Sequence, residues 1–422
     1  MTVVVTGLGV LCASAEDPAA FGQQLRDGRS GITWRDGDGP PVAAELAGFD
    51  FPAALARLPG QHATALRVAG RSPLSVQASV VVALQAAASA GLAGSRLPSH
   101  RLGLVVAAQN LGAAYAERIR PLFESSPVHL PPRYALHHLD TNHVGTVSEV
   151  LAITGEGYTV GGASASGNVA LINGARLIEA GAVDACLVIG ALTELSPMER
   201  QAYANLGAMA GGGDRDGDPR TRCRPFDAAR TGFVPGQGAA CLVLESAGSA
   251  AGRDAVPLAR IAGHAQCLDA NSLADPNQAG QVRVMSLALK RAGLTPGDVD
   301  YINAHATGSR LGDQTEAAAI HEVFGTHRPW VNSTKALTGH CLCAAGVVEA
   351  VATIIQMRAG FVHPCANLCQ PIEPALRFAG SRAQPATVTV ALSNGFGFGG
   401  FNTSVVFTRP APERPSHAEQ LQ

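Results

Sequence analysis

The chain has 422 residues, of which 46% are hydrophobic and 15% charged, and its formal net charge is −2. That is apolar material for two or three average domains or one large duplicated body, and a charge so near zero gives no electrostatic argument for nucleic acid or an anionic membrane surface. Nine cysteines without framework spacing point to reduced thiols and a cytoplasmic protein. In chain order, the β-branched run at 2–6 predicts a first strand, and no basic segment or cleavage site precedes it, so no signal peptide is expected. A helix follows at 75–90, and the apolar tract 80–94 is too short and too rich in alanine to span a bilayer. A strand at 102–107 leads to Tyr158-Thr-Val-Gly-Gly-Ala-Ser164-Ala-Ser-Gly167, which reads as a short strand, a tight turn and a helix continuing over 169–180. Strands at 185–189 and 239–244, a helix at 282–292, a strand at 301–303, helices at 314–323 and 346–358, and strands at 387–392 and 403–407 complete the pattern.

Alternation on this scale predicts an α/β fold. A helix followed by Ala-Gly-Leu and a strand occurs at Ala90-Gly-Leu92 and again at Ala292-Gly-Leu294, an echo that suggests two halves of similar construction. The join falls near 250–257, giving one half over 1–250, a second over 251–410 and a tail at 411–422 expected to be disordered. Residues 208–222 are rich in glycine and charge. The run Asp214-x-Asp216-Gly-Asp218 suggests calcium, but a calcium loop ends on glutamate and position 225 is proline, so a surface loop is the ordinary reading. His340-Cys341-Leu-Cys343 and His363-Pro-Cys365 with Cys369 suggest zinc, but Cys-x-Cys is not the usual pair spacing, and no metal is expected.

Four segments read as one site. They are the Ser164 turn, Asn303-Ala-His305-Ala-Thr307-Gly-Ser309-Arg-Leu-Gly-Asp313-Gln-Thr-Glu316, Asn332-Ser-Thr-Lys335-Ala-Leu-Thr-Gly-His340, and Ser393-Asn-Gly-Phe396-Gly-Phe398-Gly-Gly-Phe-Asn402. Each is a strand end passing into a turn of small residues, so that side chains and free backbone amides can converge. A group at the Ser164 turn sits at a helix start, where unpaired N–H groups favour negative charge.

Together and in this order, with Val5-Thr-Gly-Leu-Gly-Val10 and Arg224-Pro-Phe-Asp227, these segments resemble the β-ketoacyl synthases, the condensing enzymes of fatty-acid and polyketide assembly. The resemblance implies a thiolase fold, with two pseudo-symmetric halves in five α-β-α-β-α layers, normally a homodimer or a heterodimer with another ketosynthase. It implies no bound cofactor and a substrate carried on the phosphopantetheine arm of an acyl carrier protein. His305 and His340 would donate to the malonyl thioester oxygen. Lys335 would stand behind them paired with an acid, for which Glu316 is the candidate, with Asp313 as further support. Thr307 and Ser309 would bind the pantetheine arm beside Phe396 and Gly397. The N–H groups of Ser164 and Phe398 would form the oxyanion hole, with Phe398 as gate. Arg67 and Arg71 are candidates for a basic surface facing an acidic carrier.

The family usually has cysteine where this chain has Ser164. Gly161-Gly162, Gln109-Asn110, Gln237 and Phe401 also depart from the usual pattern. A hydroxyl does not ionise near neutrality and needs a positioned base, and an acyl-serine is a poorer acyl donor than a thioester. Loss of CO₂ from malonyl needs only enolate stabilisation, which two histidine donors supply. In this the chain resembles the serine-type ketosynthase homologues of polyketide β-branching cassettes, which implies decarboxylation of malonyl-carrier to acetyl-carrier. The alternatives are a chain-elongating synthase in a natural or engineered serine form and a silent partner subunit like the chain-length factors. A serine hydrolase is a further class, but Gly162-Ala-Ser164-Ala-Ser166 lacks the final glycine of its elbow.

Overall fold

The computed structural model describes residues 1–36, 41–60, 62–92, 94–210, 215 and 217–410. Asp214 and Asp216 of the calcium-like run and the tail at 411–422 lie outside the described residues, while Asp218 pairs with Arg220 at 2.7 Å.

The first half carries strands β1 (Val3–Cys12), β2 (Leu102–Ala107), β3 (Gly157–Val160), β4 (Ala185–Gly190) and β5 (Gly238–Ser246). The second carries β6 (Ala259–Leu268), β7 (Tyr301–Asn303), β8 (Trp330–Asn332), β9 (Arg377–Phe378), β10 (Val390–Gly397) and β11 (Phe401–Thr408). Helices α1 (Leu74–Ser89), α2 (Thr141–Leu151) and α3 (Ser166–Glu179) belong to the first half, and α4 (Gln278–Ala292), α5 (Arg310–Phe324) and α6 (Ala345–Ala359) to the second.

From the centre outward the first half runs β1-β5-β4-β2-β3 and the second β6-β11-β10-β7-β8-β9. In each, the first two pairings are antiparallel and the next two parallel. Apart from the extra edge strand β9, the halves are copies, joined where Val3–Val5 of β1 pairs with Ala259–Ile261 of β6. This is the thiolase fold in five layers. Helices α1 and α2 cover one sheet, α4 and α5 the other, and α3 and α6 fill the space between. Strands covered on both faces must be apolar throughout, and every residue of β1 is buried.

The sequence places the first strand at 2–6, yet β1 continues to Cys12 through Gly7 and Gly9. Those glycines let α1 lie directly on the strand, since a Cβ at Gly9 would stand 2.1 Å from the Val82 carbonyl oxygen. The strand expected at 387–392 is shifted to β10, running through the site residues Ser393 to Gly397. Residues 342–359 have the length and hydropathy of a membrane span, but 78% of the segment is buried as the central layer.

The two central helices meet at their first turns. A Cβ on Gly167 would lie 2.7 Å from the backbone nitrogens of Gly346 and Val347, and one on Gly346 would lie 2.6 Å from the nitrogen of Asn168. At Gly167 the three nearest atoms are all backbone, which leaves no side chain to move aside. Gly167→Ala is therefore expected to cost about 1–3 kcal/mol or more, read as a lower denaturant midpoint. A midpoint equal to the parent's would show that the helices separate freely.

Candidate active site

Strand β3 ends at Val160, and the chain turns through Ala163–Ala165 into α3. Ala163 has φ 49°, a strained value for a residue with a side chain, and its neighbours hold it there. The Gln109 side-chain oxygen accepts the Ala163 N–H at 2.8 Å, and Ser166 Oγ donates to the Ala163 carbonyl at 2.6 Å while accepting from the Gly162 N–H at 2.9 Å. The second half repeats the device. Leu342 has φ 50° and opens the turn Leu342–Ala344 into α6. Ser164 and Cys343 are thus equivalent positions, and both line one cavity of about 500 Å³. Burial pushes the Cys343 thiol up from its usual 9.0, so it stays protonated and is no substitute thiolate.

The structure brings Ser164 and His340 into contact, with Nε2 2.9 Å from the serine Oγ. The Leu342 N–H donates to His340 Nδ1 at 3.3 Å. An accepting Nδ1 puts the hydrogen of the neutral ring on Nε2, which then donates to Ser164. The His305 ring lies 5.5 Å from that of His340 at 83°, with Phe396 edge-on to His305 at 5.8 Å and Phe233 edge-on to His340 at 5.4 Å. Burial first, and the Lys335 ammonium second, hold both imidazoles well below the ordinary value of 6.5. Both rings are therefore neutral donors at physiological pH.

One expected pairing is corrected. Lys335 Nζ meets Glu349 Oε1 on α6 at 2.5 Å, not Glu316. Glu316 is occupied elsewhere, since its two oxygens accept the backbone N–H groups of His305 at 2.9 Å and Ala306 at 2.7 Å, and Asn394 adds a third donor at 3.2 Å. Asp313, one turn earlier on α5, accepts from Thr307, Gly308 and Phe226. The acids of the 303–316 segment fold their own loop back on α5 and so aim His305, Thr307 and Ser309 into the cavity. Burial outweighs these bonds and raises the carboxyls, Asp313 to about 6 and Glu316 to about 7. Glu349 escaped the sequence reading, although a lone acid in the apolar run Ala345-Gly-Val-Val-Glu349 was a signal.

The fourth segment closes the cavity. A Cβ on Gly397 would stand 2.4 Å from the Gly162 carbonyl oxygen, so glycine is needed for the loop to rest on the Ser164 turn. Phe396, Gly397, Phe398 and Phe401 line the cavity, with the Phe398 ring 40% exposed and 6.4 Å from that of Tyr203. Gln237 is outside it and accepts from the Leu46 N–H at 2.8 Å. Arg67 pairs with Glu149 at 3.0 Å, and neither Arg67 nor Arg71 lines the cavity. Among the described residues no three His, Cys, Asp or Glu side chains are grouped to hold a metal.

A duplicated sheet around paired central helices defines a thiolase-fold protein. The β-ketoacyl synthase N-terminal domain matches residues 1–250 and the C-terminal domain of the same family residues 258–369, so the chain belongs to the β-ketoacyl synthase family. It is 36% identical over 409 residues to the polyketide biosynthesis malonyl-ACP decarboxylase PksF of Bacillus subtilis, covering 96% of this chain and 95% of that protein. It is 32% identical to the chloroplastic 3-oxoacyl-[acyl-carrier-protein] synthase I of Hordeum vulgare, over 98% of this chain and 89% of that one. Among solved structures, the ishigamide ketosynthase/chain length factor superposes with a TM-score of 0.85 at 27% identity, over 97% of this chain and 99% of the other.

Two outcomes are expected of the site's supports. Glu316→Gln sets an amide N–H₂ against N–H donors and should cost about 1–3 kcal/mol of stability, measured by denaturation. Lys335→Met alone leaves Glu349 buried without its counter-charge, a loss of about 3–5 kcal/mol. Lys335→Met combined with Glu349→Met is milder and removes the charge that depresses the imidazoles. In that double variant, histidine NMR titration should show both pKa values moved upward; unmoved values would mean that burial alone sets them.

Proposed function

We propose that this protein decarboxylates malonyl groups carried as thioesters on an acyl carrier protein, giving the acetyl-carrier without extending a chain. The observation that carries this reading is the His340 tautomer. With Nδ1 accepting from Leu342, Nε2–H donates to Ser164, so no base is positioned to take the serine proton and make it a nucleophile. The same tautomer argues against a Ser–His hydrolase. Two neutral N–H donors remain, suited to a carbonyl oxygen that gains charge.

In the proposed reaction the phosphopantetheine arm enters past Phe398 along Thr307 and Ser309, and the thioester oxygen lies between His305 and His340. The bond between the malonyl methylene carbon and its carboxylate breaks, CO₂ departs, and the electron pair becomes the enolate held by the two imidazoles. One proton from water on the methylene carbon then gives the acetyl thioester. Ser164 orients the substrate through its hydroxyl, and its N–H with that of Phe398 is available as a second oxyanion site. Lys335 acts through the histidines, keeping them neutral. The relative named as a malonyl-ACP decarboxylase supports this reading over elongation, which the similarity to plant synthases favours. A cytoplasmic homodimer is the proposed form. The open edge of β3 and the exposed Phe123, Val128 and Leu136 are the surfaces a second subunit would cover.

Incubation with malonyl-carrier protein, read by mass spectrometry, should give acetyl-carrier and no longer product. His305→Ala or His340→Ala should each slow this by about 10²–10³-fold, and Ser164→Ala by about tenfold or less. Unchanged malonyl-carrier, or a β-ketoacyl product, would overturn the reading.

A further inference from the structure

The cavity has a polar corner that the two histidines do not explain. The chain leaves β2 at Ala107, and two residues later Gln109 reaches the Ser164 turn, where its Oε1 takes the Ala163 N–H at 2.8 Å. A backbone N–H can be answered only by the oxygen of a carboxamide, so this bond settles which way the amide faces. Nε2 and its two hydrogens are then left for other partners, on a side chain that solvent reaches. Among the described residues none accepts from them, although Gln109 lines the cavity beside Ser164. On the same side the Gln109 main-chain oxygen faces the Cys343 thiol at 3.9 Å. Against that thiol lies Thr193, 8% exposed, which lines the cavity and whose buried hydroxyl has only the weakly accepting Cys343 sulfur beside it. Two donors on one cavity wall beside Ser164, the Gln109 amide open to solvent and the Thr193 hydroxyl buried, describe a site for an acceptor.

We propose that Gln109 Nε2, assisted by the Thr193 hydroxyl, is the subsite that recognises the free carboxylate of the acyl group, and so selects malonyl over acetyl thioesters. The assignment rests on the malonyl-decarboxylation reading. It fits the chemistry of that reaction in one further respect. A guanidinium would pair with the carboxylate and stabilise it against leaving as CO₂, whereas a neutral carboxamide orients it with much less ground-state stabilisation. Arg310, the one arginine or lysine lining the cavity among the described residues, follows Ser309 on the wall assigned to the pantetheine arm and is exposed.

The test uses the full-length protein and two unreactive pantetheine amides, malonyl and acetyl, with binding measured by calorimetry. The parent should prefer the malonyl amide by about 10–100-fold, the worth of hydrogen bonds to a charged group. Gln109→Glu has the same shape and keeps an oxygen for the Ala163 N–H, but turns the cavity-facing donor into an acceptor. It should abolish or invert the preference while leaving acetyl-amide affinity and melting temperature near the parent's. Gln109→Leu should also lose the preference. A parent without preference, a preference retained in Gln109→Glu, or one lost only in Arg310→Ala would overturn the subsite. Turnover of malonyl-carrier separates the two readings. A parent that decarboxylates while Gln109→Glu keeps its preference defeats the subsite alone. A parent that binds malonyl amide selectively through Gln109 yet releases no acetyl-carrier defeats the decarboxylase alone.

Discussion

Gly167 and Gly346 touch across the middle of the molecule, and the site's geometry depends on that contact. Each opens a central helix, and each is closed to a side chain by the other helix's backbone. Because α3 and α6 approach so closely, the turns before them come together, Ala163–Ala165 from one half and Leu342–Ala344 from the other. Ser164 and His340, 176 residues apart, thereby meet at 2.9 Å. A wider crossing would leave two half-sites facing a void.

Around that contact the buried charges have separate tasks. Asp313 and Glu316 bind backbone amides and shape a loop. Lys335 and Glu349 neutralise each other behind the histidines, and the lysine's field helps keep those rings uncharged. A buried ion pair adds little net stability compared with apolar packing, so its worth here lies in holding the imidazoles as neutral donors. The repetition of the fold also explains Cys343, which occupies the second half's copy of the Ser164 position yet lacks the environment that would ionise it.

Much of this was legible before folding. The Ser164 turn, the His305 and His340 segments and the Phe396–Phe401 loop announce themselves by glycines and polar residues at the ends of apolar strands, and the structure gathers all four around one cavity. The length of β1 was hidden, because glycine reads as a strand breaker unless one knows that a helix must press against it. The partner of Lys335 is hidden for a similar reason. Glu316 lies in the histidine motif, but the loop's own N–H groups claim its oxygens, while Glu349 comes from a helix that reads only as core.

By itself the sequence determined the elements, the duplicated α/β construction and the chemical types at the site, a hydroxyl where a thiol is usual and two histidines with a lysine. These follow from local pattern: strand and helix periodicity, turn residues and the identity of the side chain. Only the tertiary structure decided that His340 meets Ser164, which acid meets Lys335, and that Gln109 reaches the Ala163 N–H beside the cavity. Each of those depends on a hydrogen bond of about 3 Å or less between groups, or on a neighbour's backbone placed by the turn. Such distances are set by how helices and sheets pack, which no local stretch of residues encodes.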